Sequence, residues 1–281
     1  MPLISDFIAG RTPPDLYEAY LSGGLFMPWA DTLIEAVAAS GACLDIACGT
    51  GVISRKLSDL PEVATLSSID VAPPMIAKAK ALQQEKGYAP RAEFQVASAL
   101  DLPFDDDSFD VALCQQGLQF FPDKALALQE AARVLKPGGR LGAAIWTSGH
   151  DGNPVFGEFE DILARNIGRD IVPIAPFSYG DPDEIRSVAE QAGLDVNAVE
   201  RREMITTLPA VRDFVLFDVI FLGRPGPDGA LQPVIDPEDD TADELIETII
   251  AEMTDAVRQY VQDDGTVKSL STTHFLLAQS R

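Results

Sequence analysis

The first predicted strand runs into a turn of small residues, and a helix begins near Val52. The strand and the turn together have the sequence Cys43-Leu-Asp-Ile-Ala-Cys-Gly-Thr-Gly51. Ala47, Gly49 and Gly51 are spaced by two, so the backbone can turn tightly and approach a ligand without obstruction from side chains. The pattern predicts a ligand-binding turn where the strand ends.

An acidic residue, Asp70, ends the next predicted strand, 21 residues after Gly49. A carboxylate there can accept two hydrogen bonds from the diol of a ribose, as in adenosine-containing cofactors. Asp70 alone does not separate NAD from other such cofactors. The turn lacks the third glycine of the dinucleotide-binding pattern G-x-G-x-x-G, and no Ser, Tyr and Lys set at a recognisable separation accompanies it. An NAD-dependent oxidoreductase is therefore disfavoured.

The segments that follow alternate between short apolar strands and amphipathic helices. The candidate strands are residues 43–47, 66–71, 92–97, 109–114 and 140–146. Further strands are predicted at about 195–206 and 272–278, and Asp123 and Asp181 are predicted to cap two of the helices. The alternation predicts an α/β fold with a parallel, doubly wound sheet.

Four blocks of the sequence resemble the class I S-adenosylmethionine (SAM)-dependent methyltransferases, in particular small-molecule methylases related to ubiquinone and menaquinone C-methylases (methyltransferase type 11). The blocks are Leu44–Gly51, Ser68–Ile76, Ala99–Phe104 followed by Asp107–Asp110, and Arg133–Leu141. The resemblance covers about Leu44 to Trp146. It implies a Rossmann-like, doubly wound sheet of seven strands, mostly parallel with an antiparallel final strand, plus a helical cap. It also implies SAM as the cofactor and S-adenosylhomocysteine as the product.

The resemblance assigns the cofactor-binding residues. Asp45 resembles the acidic residue that fixes the glycine-rich turn near the methionine moiety, and Ala47, Gly49 and Gly51 resemble the backbone surface beneath it. Asp70 resembles the ribose carboxylate.

The adenine is expected to lie between Val71 and Met75, with Ala99 and Leu100 along its edge. Family members often carry Asp where this chain has Ser98. The Ser98 hydroxyl can still accept a hydrogen bond from the adenine amino group, but without the charge assistance of a carboxylate.

Glutamines follow the fourth predicted strand, where a doubly wound sheet opens its ligand crevice. In the family this segment borders the methionine end of SAM and the acceptor. Gln115 is predicted to bind the cofactor and Gln119 the acceptor. Phe120 and Phe121 are expected to pack in the core.

Methyl transfer from a sulfonium needs an in-line nucleophile, and a general base is required only if the acceptor must lose a proton. His150, just past the fifth predicted strand, is the candidate base, with an ordinary loop histidine as the alternative. No carboxylate and histidine cluster has convincing ligand spacing, so no metal is predicted. The residues predicted to contact the acceptor are Tyr20, Trp29, Gln119, Phe217 and Phe221, with core packing as the alternative for the aromatic ones.

The sequence thus predicts an enzyme, a class I SAM-dependent methyltransferase (EC 2.1.1.-), that acts on a small, apolar or aromatic natural-product or quinone-like acceptor. Whether oxygen, nitrogen or carbon is methylated stays open. The alternatives are a non-catalytic SAM-binding regulatory or scaffold protein, and a SAM-assisted enzyme that does not methylate, such as a cyclase.

Four parts of the chain are expected from these patterns. They are an N-terminal helical cap at 1–40, a SAM-binding core at 41–207 with an insertion at about 147–180, a helical lid insertion at 208–268, and a final core strand at 269–281.

The charge, the cysteines and the apolar stretches of the chain limit its partners and its location. The chain has 44 acidic and 21 basic residues and a net charge of -23, which repels phosphate backbones, so nucleic acid is excluded as a partner. Its three cysteines show no pairing pattern, which favours a cytoplasmic location. No apolar stretch approaches the roughly 20 residues of a membrane span, so no integral membrane association is expected. Whether the protein forms a homodimer stays open.

Overall fold

In the computed structural model, the described residues are 2–86, 92–168, 177, 179–220, 223–225, 231–233, 235 and 242–281. The chain divides into two compact units. The core unit comprises Phe26–Thr147, Ser178–Arg202 and Thr273–Arg281, and the helical unit comprises Met1–Leu25, Ser148–Phe177 and Glu203–Thr272.

The strands form one large sheet and one short hairpin. In chain order they are β1 (Gly41–Ile46), β2 (Val63–Asp70), β3 (Ala92–Val96), β4 (Phe109–Gln115), β5 (Leu135–Trp146), β6 (Leu194–Leu208), β7 (Gly223–Pro225), β8 (Leu231–Pro233) and β9 (Val267–Ser280). The seven-stranded sheet has the order β3-β2-β1-β4-β5-β9-β6, and β7 pairs with β8. Strands β1 to β5 pair in parallel with their neighbours, whereas β9 runs antiparallel to β5. The predicted Rossmann-like sheet with an antiparallel final strand is confirmed.

The helices of the core unit are α3 (Met27–Ala36), α4 (Val52–Ser58), α5 (Pro73–Lys86), α6 (Lys124–Val134) and α8 (Pro182–Gln191). Both predicted caps are confirmed: the Asp123 carboxylate accepts from the Leu126 N–H at 2.9 Å, and the Asp181 carboxylate accepts from the Asp183 N–H at 2.8 Å. Each cap satisfies an N–H group that the first helical turn leaves unpaired.

The helical unit contains α1 (Leu3–Ile8), α2 (Pro13–Tyr17), most of a π-helical segment (Glu18–Phe26), α7 (Pro154–Asn166), α9 (Val211–Ile220) and α10 (Asp243–Ala256). Helix α10 packs on α7 and α9. Its buried face is made of Ile246, Ile249, Ile250 and Met253, at the spacing of an amphipathic helix. No helix in the described ranges is long and apolar enough to cross a membrane.

The two units do not follow the predicted boundaries. Residues 26–40, expected in the N-terminal cap, belong to the core unit, whereas 148–177 and 203–207 belong to the helical unit. Helix α3 packs on the sheet because β5 carries Gly142 there: a Cβ on Gly142 would collide with Val37 and lie 3.3 Å from Leu33. Alternation of strands and helices predicts the elements but not the surface on which each intervening helix packs.

Candidate functional site

The loop after β1 adopts the tight turn that the sequence predicts. Ala47, Gly49 and Gly51 have φ angles of 56°, 54° and 87°, in the left-handed region. Glycine adopts this region without steric cost, whereas an alanine there costs about 1–2 kcal/mol. A Cβ on Gly49 would meet no atom within 4 Å, so the backbone at Gly49 borders open space. A Cβ on Gly51 would lie 3.3 Å from Phe94, so that glycine serves close packing.

Asp70 lies at the end of β2 and holds this turn in place. Its Oδ2 accepts from the Gly49 N–H at 2.8 Å, and its Oδ1 accepts from the Ala72 N–H at 2.9 Å. Each carboxylate oxygen has two lone pairs, so both oxygens retain capacity for a further donor. The structure therefore brings the turn and the predicted ribose carboxylate together, and the carboxylate oxygens can accept further hydrogen bonds.

Asp45 lies beneath the turn and is fully buried. Its Oδ2 accepts from the Ser54 hydroxyl at 2.5 Å, and the Ser54 and Ser68 hydroxyl oxygens are 2.9 Å apart. Burial raises the pKa of Asp45 to about 7; the Ser54 hydrogen bonds oppose this rise, and the charge of Asp70 adds to it. The carboxyl group joins β1, α4 and β2 in one buried polar network.

The residues expected to flank an adenine surround the ends of β2 and β3. Val71 is 72% exposed, and Met75 is half-buried. Such exposure of an apolar side chain beside Asp70 leaves surface that a flat ring could cover.

The edge residues follow β3. The Ser98 Oγ accepts from the Leu100 N–H at 3.1 Å, so one of its two lone pairs is already used. Ala99 is buried and Leu100 is half-buried. The Ala97 N–H donates to the Asp70 carbonyl at 3.1 Å, which fixes this segment beside the end of β2.

Three glutamines follow or end β4, and their amides are poorly paired. The Gln115 Nε2 donates to the Phe26 carbonyl at 2.8 Å, but its Oε1 has no partner among the described residues. Gln116 and Gln119 are 5% and 3% exposed, and neither amide has a partner in the described parts of the chain. A buried amide left unpaired costs about 1–3 kcal/mol, and a ligand that bonded to these amides would offset that cost. Gln116 lies in the segment predicted to border the crevice, but it is not among the residues predicted to bind a ligand.

The same loop lies against the glycine-rich turn. A Cβ on Gly117 would come within 2.7 Å of the Ala47 Cβ and 2.9 Å of the Cys114 sulfur. Phe120, expected in the core, is 55% exposed instead, and Phe121 is half-buried. The short 3₁₀ turn at 118–120 turns the Phe120 ring outward and buries Leu118 and Gln119, a rotation that apolar composition alone does not reveal.

The aromatic residues predicted to contact the acceptor have different surroundings. The fully buried Trp29 packs edge-on against Trp146, with ring centroids 6.2 Å apart, and against Phe275 at 5.8 Å. This burial favours the alternative of core packing, because α3 packs on the sheet and carries the ring into the core. Contact of Trp29 with the acceptor stays a prediction.

Two of the other acceptor candidates, Tyr20 and Phe217, belong to the helical unit, whereas Gln119 belongs to the core unit. The Tyr20 ring stacks on Phe7 at 5.3 Å, and its hydroxyl accepts from Arg11 at 2.9 Å. Phe217 is 5% exposed on α9. Phe221 lies outside the described residues. Contact of Tyr20 and Phe217 with an acceptor stays a prediction.

His150 lies in the loop before α7, in the helical unit. Its side chain is 58% exposed, and its Nε2 is 3.5 Å from Glu160 Oε2 and 3.6 Å from Asp161 Oδ1. Burial raises the pKa of Glu160, and the His150 ring opposes that rise. An exposed imidazole next to two carboxylates has the chemistry of a proton acceptor, but its role as a base stays a prediction. Among the described residues, no group of three or more His, Cys, Asp or Glu side chains could hold a metal ion.

The raised pKa of Asp45 makes stability depend on pH. The folded protein keeps the Asp45 proton up to about pH 7, whereas the unfolded chain releases it near the ordinary value of 3.8. Between these values the folded state binds more protons, so its stability falls as pH rises, by up to about 1.4 kcal/mol per pH unit, and levels off above the folded pKa. We expect Asp45→Asn, which keeps an oxygen for Ser54, to lose this slope. Denaturant unfolding of both proteins at pH 5, 6 and 7 measures it, and parallel pH profiles would contradict it.

Known proteins share both the sequence blocks and the fold. Residues 44–143 match the methyltransferase domain family. The chain is 33% identical over 180 residues to the ubiquinone/menaquinone biosynthesis C-methyltransferase UbiE of Ectopseudomonas mendocina, a match that covers 63% of this chain and 68% of that protein. It is 34% identical over 154 residues to the O-methyltransferase resE of Aspergillus sclerotiorum, covering 54% of each. The chain thus spans little more than half the length of some curated relatives that it matches.

Among solved structures, the YcgJ protein from Bacillus subtilis superposes with a TM-score of 0.59 at 20% identity, over 90% of this chain and 97% of that one. This likeness supports the fold, and the sequence relatives support the family. The matched residues 44–143 include the glycine-rich turn, Asp70 and the segment after β4. The chain belongs to the class I SAM-dependent methyltransferases.

Proposed function

We propose that the protein binds SAM at the glycine-rich turn of the core unit and transfers its methyl group to a small-molecule acceptor. The observation that carries the proposal is the hydrogen bond between the Gly49 N–H and Asp70 Oδ2, at 2.8 Å, beside open space at Gly49. A backbone surface that a ligand can approach thus lies directly next to a carboxylate that can receive a ribose diol.

The residues at this edge of the sheet fit the parts of SAM. Asp70 has lone pairs left for the ribose, Val71 and Met75 offer apolar surface for the adenine, and Ser98 has one lone pair left for an amino group. When bound, SAM supplies a methyl group on a positively charged sulfur, and a nucleophile can attack the carbon of that methyl group. The chain's task is then to hold and orient the two reactants, because correct placement supplies much of the acceleration.

The predicted roles of the remaining residues follow from their contacts. Asp45 supports the turn from below through Ser54 and Ser68. Gln115, already bonded to the Phe26 carbonyl, has its Oε1 left for the methionine end of the cofactor. These assignments use groups that the fold itself leaves with hydrogen-bonding capacity.

We place the general base, where the acceptor must lose a proton, at His150. Glu160 and Asp161 lie within 3.6 Å of its Nε2 and would pair with the imidazolium after proton uptake. An acceptor that is already a neutral or ionised nucleophile would not need it.

We propose a small, apolar or aromatic natural-product or quinone-like acceptor that Gln119 of the core unit contacts. Contacts with Tyr20, Trp29, Phe217 and Phe221 remain predictions from the sequence. The printed names of the relatives, a C-methyltransferase and an O-methyltransferase, support methyl transfer and leave the methylated atom open. Screening phenols, amines and quinols with tritiated-methyl SAM, followed by product analysis, identifies the acceptor and the methylated atom. The same analysis would reveal a cyclised product without the label.

Removal of the Asp70 carboxylate should weaken cofactor binding. We expect Asp70→Ala to lose about 100-fold in S-adenosylhomocysteine affinity by calorimetry, since two charge-assisted hydrogen bonds and the tether of the turn disappear together. Asp105→Ala removes an exposed carboxylate of the same charge and should bind like the wild type. A folded wild-type protein that does not bind S-adenosylhomocysteine would sink the proposed function.

The open space at Gly49 provides a second test with a matched control. Gly49→Ala and Gly193→Ala both place a methyl group at a left-handed residue, with φ of 54° and 93°, where nothing lies within 4 Å. Both variants should lose about 1–2 kcal/mol of stability. Only Gly49→Ala should lose cofactor affinity, by about tenfold or more, because its methyl group occupies the surface that the ligand approaches. Equal affinities for the two variants would place the ligand elsewhere.

The base role of His150 predicts a pH-dependent defect. With the best phenol from the acceptor screen, we expect His150→Gln to lower kcat about 100-fold near pH 7 while leaving S-adenosylhomocysteine affinity unchanged. The defect should shrink towards pH 10, where the phenol is already ionised. A kcat equal to wild type at pH 7, or a loss that stays constant with pH, would remove His150 from catalysis.

A further inference from the structure

Gln116 is held in a conformation that glutamine rarely adopts. Its φ angle is 46°, in the left-handed region, and its residue is only 5% exposed. Both amide atoms, Oε1 and Nε2, are buried without a hydrogen-bond partner among the described residues. Backbone strain and an unpaired buried amide each lower stability, so the fold alone gives no reason for a glutamine at this position.

Asn153, another buried amide of the chain, provides a comparison, because its amide has a structural role. Asn153 is fully buried, its Oδ1 accepts from the Thr272 N–H at 3.0 Å, and its Nδ2 donates to the Thr272 carbonyl at 3.2 Å. Such pairing is the rule for buried polar groups. Gln116 and Gln119 depart from it together, three residues apart in the same loop.

The backbone around Gln116 is fixed beside the proposed cofactor turn. The Gln116 N–H donates to the Ala144 carbonyl of β5 at 2.8 Å. The next residue, Gly117, packs so closely on Ala47 that an added Cβ would lie 2.7 Å from the Ala47 Cβ. The strained residue is thus anchored on both sides, as expected of a preorganised binding residue.

We propose that Gln116, together with Gln119, selects the acceptor by hydrogen-bonding an uncharged group that offers a donor and an acceptor side by side, such as a hydroxyl beside a carbonyl on a ring. A neutral amide presents one N–H edge and one carbonyl edge, which matches such a group. It brings no opposite charge to offset the desolvation of an ionic group, so a neutral partner is favoured. This inference rests on the proposed methyl transfer at the neighbouring turn.

The test compares Gln116→Met and Gln119→Met, which keep side-chain length and remove the amide, with Gln129→Met at an exposed position of α6. Binding of two probes to the S-adenosylhomocysteine complex is measured by calorimetry. The probes are 2,4-dihydroxyacetophenone, with a hydroxyl beside a carbonyl, and 4-ethylresorcinol, which lacks the carbonyl.

We expect the wild type and Gln129→Met to bind the ketone at least tenfold more tightly than 4-ethylresorcinol. The Gln116 and Gln119 variants should lose this preference, bind S-adenosylhomocysteine within about twofold of wild type, and show an equal or higher Tm, because the unpaired amides are gone. A Tm that does not fall separates recognition from a structural role, because loss of a structural amide would lower the Tm.

Three results would overturn the inference. The first is a lower Tm in both variants. The second is a tenfold loss of S-adenosylhomocysteine affinity, which would assign the amides to the cofactor. The third is equal binding of the ketone by the wild type and the variants, including the case in which neither binds it. Failure of the wild type to bind S-adenosylhomocysteine at all would instead contradict the proposed function, so the two failures are distinguishable.

Discussion

The hydrogen bond from the Gly49 N–H to Asp70 Oδ2 is the contact on which the site depends. It ties the loop after β1 to the end of β2, two strands that pair in parallel from Gly41 to Ile46. A parallel sheet brings the carboxyl ends of its strands to one edge, so a single bond between neighbouring strand ends can fix a turn. The left-handed residues Ala47, Gly49 and Gly51 then present backbone rather than side chains at that edge.

The site is assembled from groups that a core built for stability would avoid. Asp45 is buried with a pKa of about 7, Ala47 and Gln116 are in the left-handed region, and two buried amides in the loop after β4 have no partner within the described part of the chain. Each residue in the left-handed region and each unpaired amide costs on the order of 1–3 kcal/mol, a sizeable part of the net stability of a domain. The apolar strands around them offset this cost, and β4 supplies a run from Val111 to Cys114 that is almost fully buried. Such a concentration of costs in one place is typical of binding sites.

The proposed methyl transfer requires little beyond correct placement of the cofactor and the acceptor. SAM carries its own activated methyl group, so the chain needs an oriented cofactor, an oriented acceptor and, for some acceptors, one base. This economy makes hydrogen-bond complementarity at Gln116 and Gln119 the main way in which the core unit could distinguish one neutral acceptor from another.

The sequence by itself determined the sheet, the helix caps, the glycine-rich turn and Asp70, because these depend on local backbone preferences and on short-range spacing. A motif such as Leu44–Gly51 predicts the same local structure whatever the arrangement of the rest of the chain. Only the tertiary structure decided which side chains are left with unused hydrogen bonds and which surfaces are covered. Trp29 packs in the core because α3 packs on β5 at Gly142, and Phe120 turns outward. Gln116 stands out because its buried amide has no partner among the described residues. The burial and the hydrogen-bond partners of a side chain depend on residues that are distant in the chain. The residue type at one position therefore does not predict them.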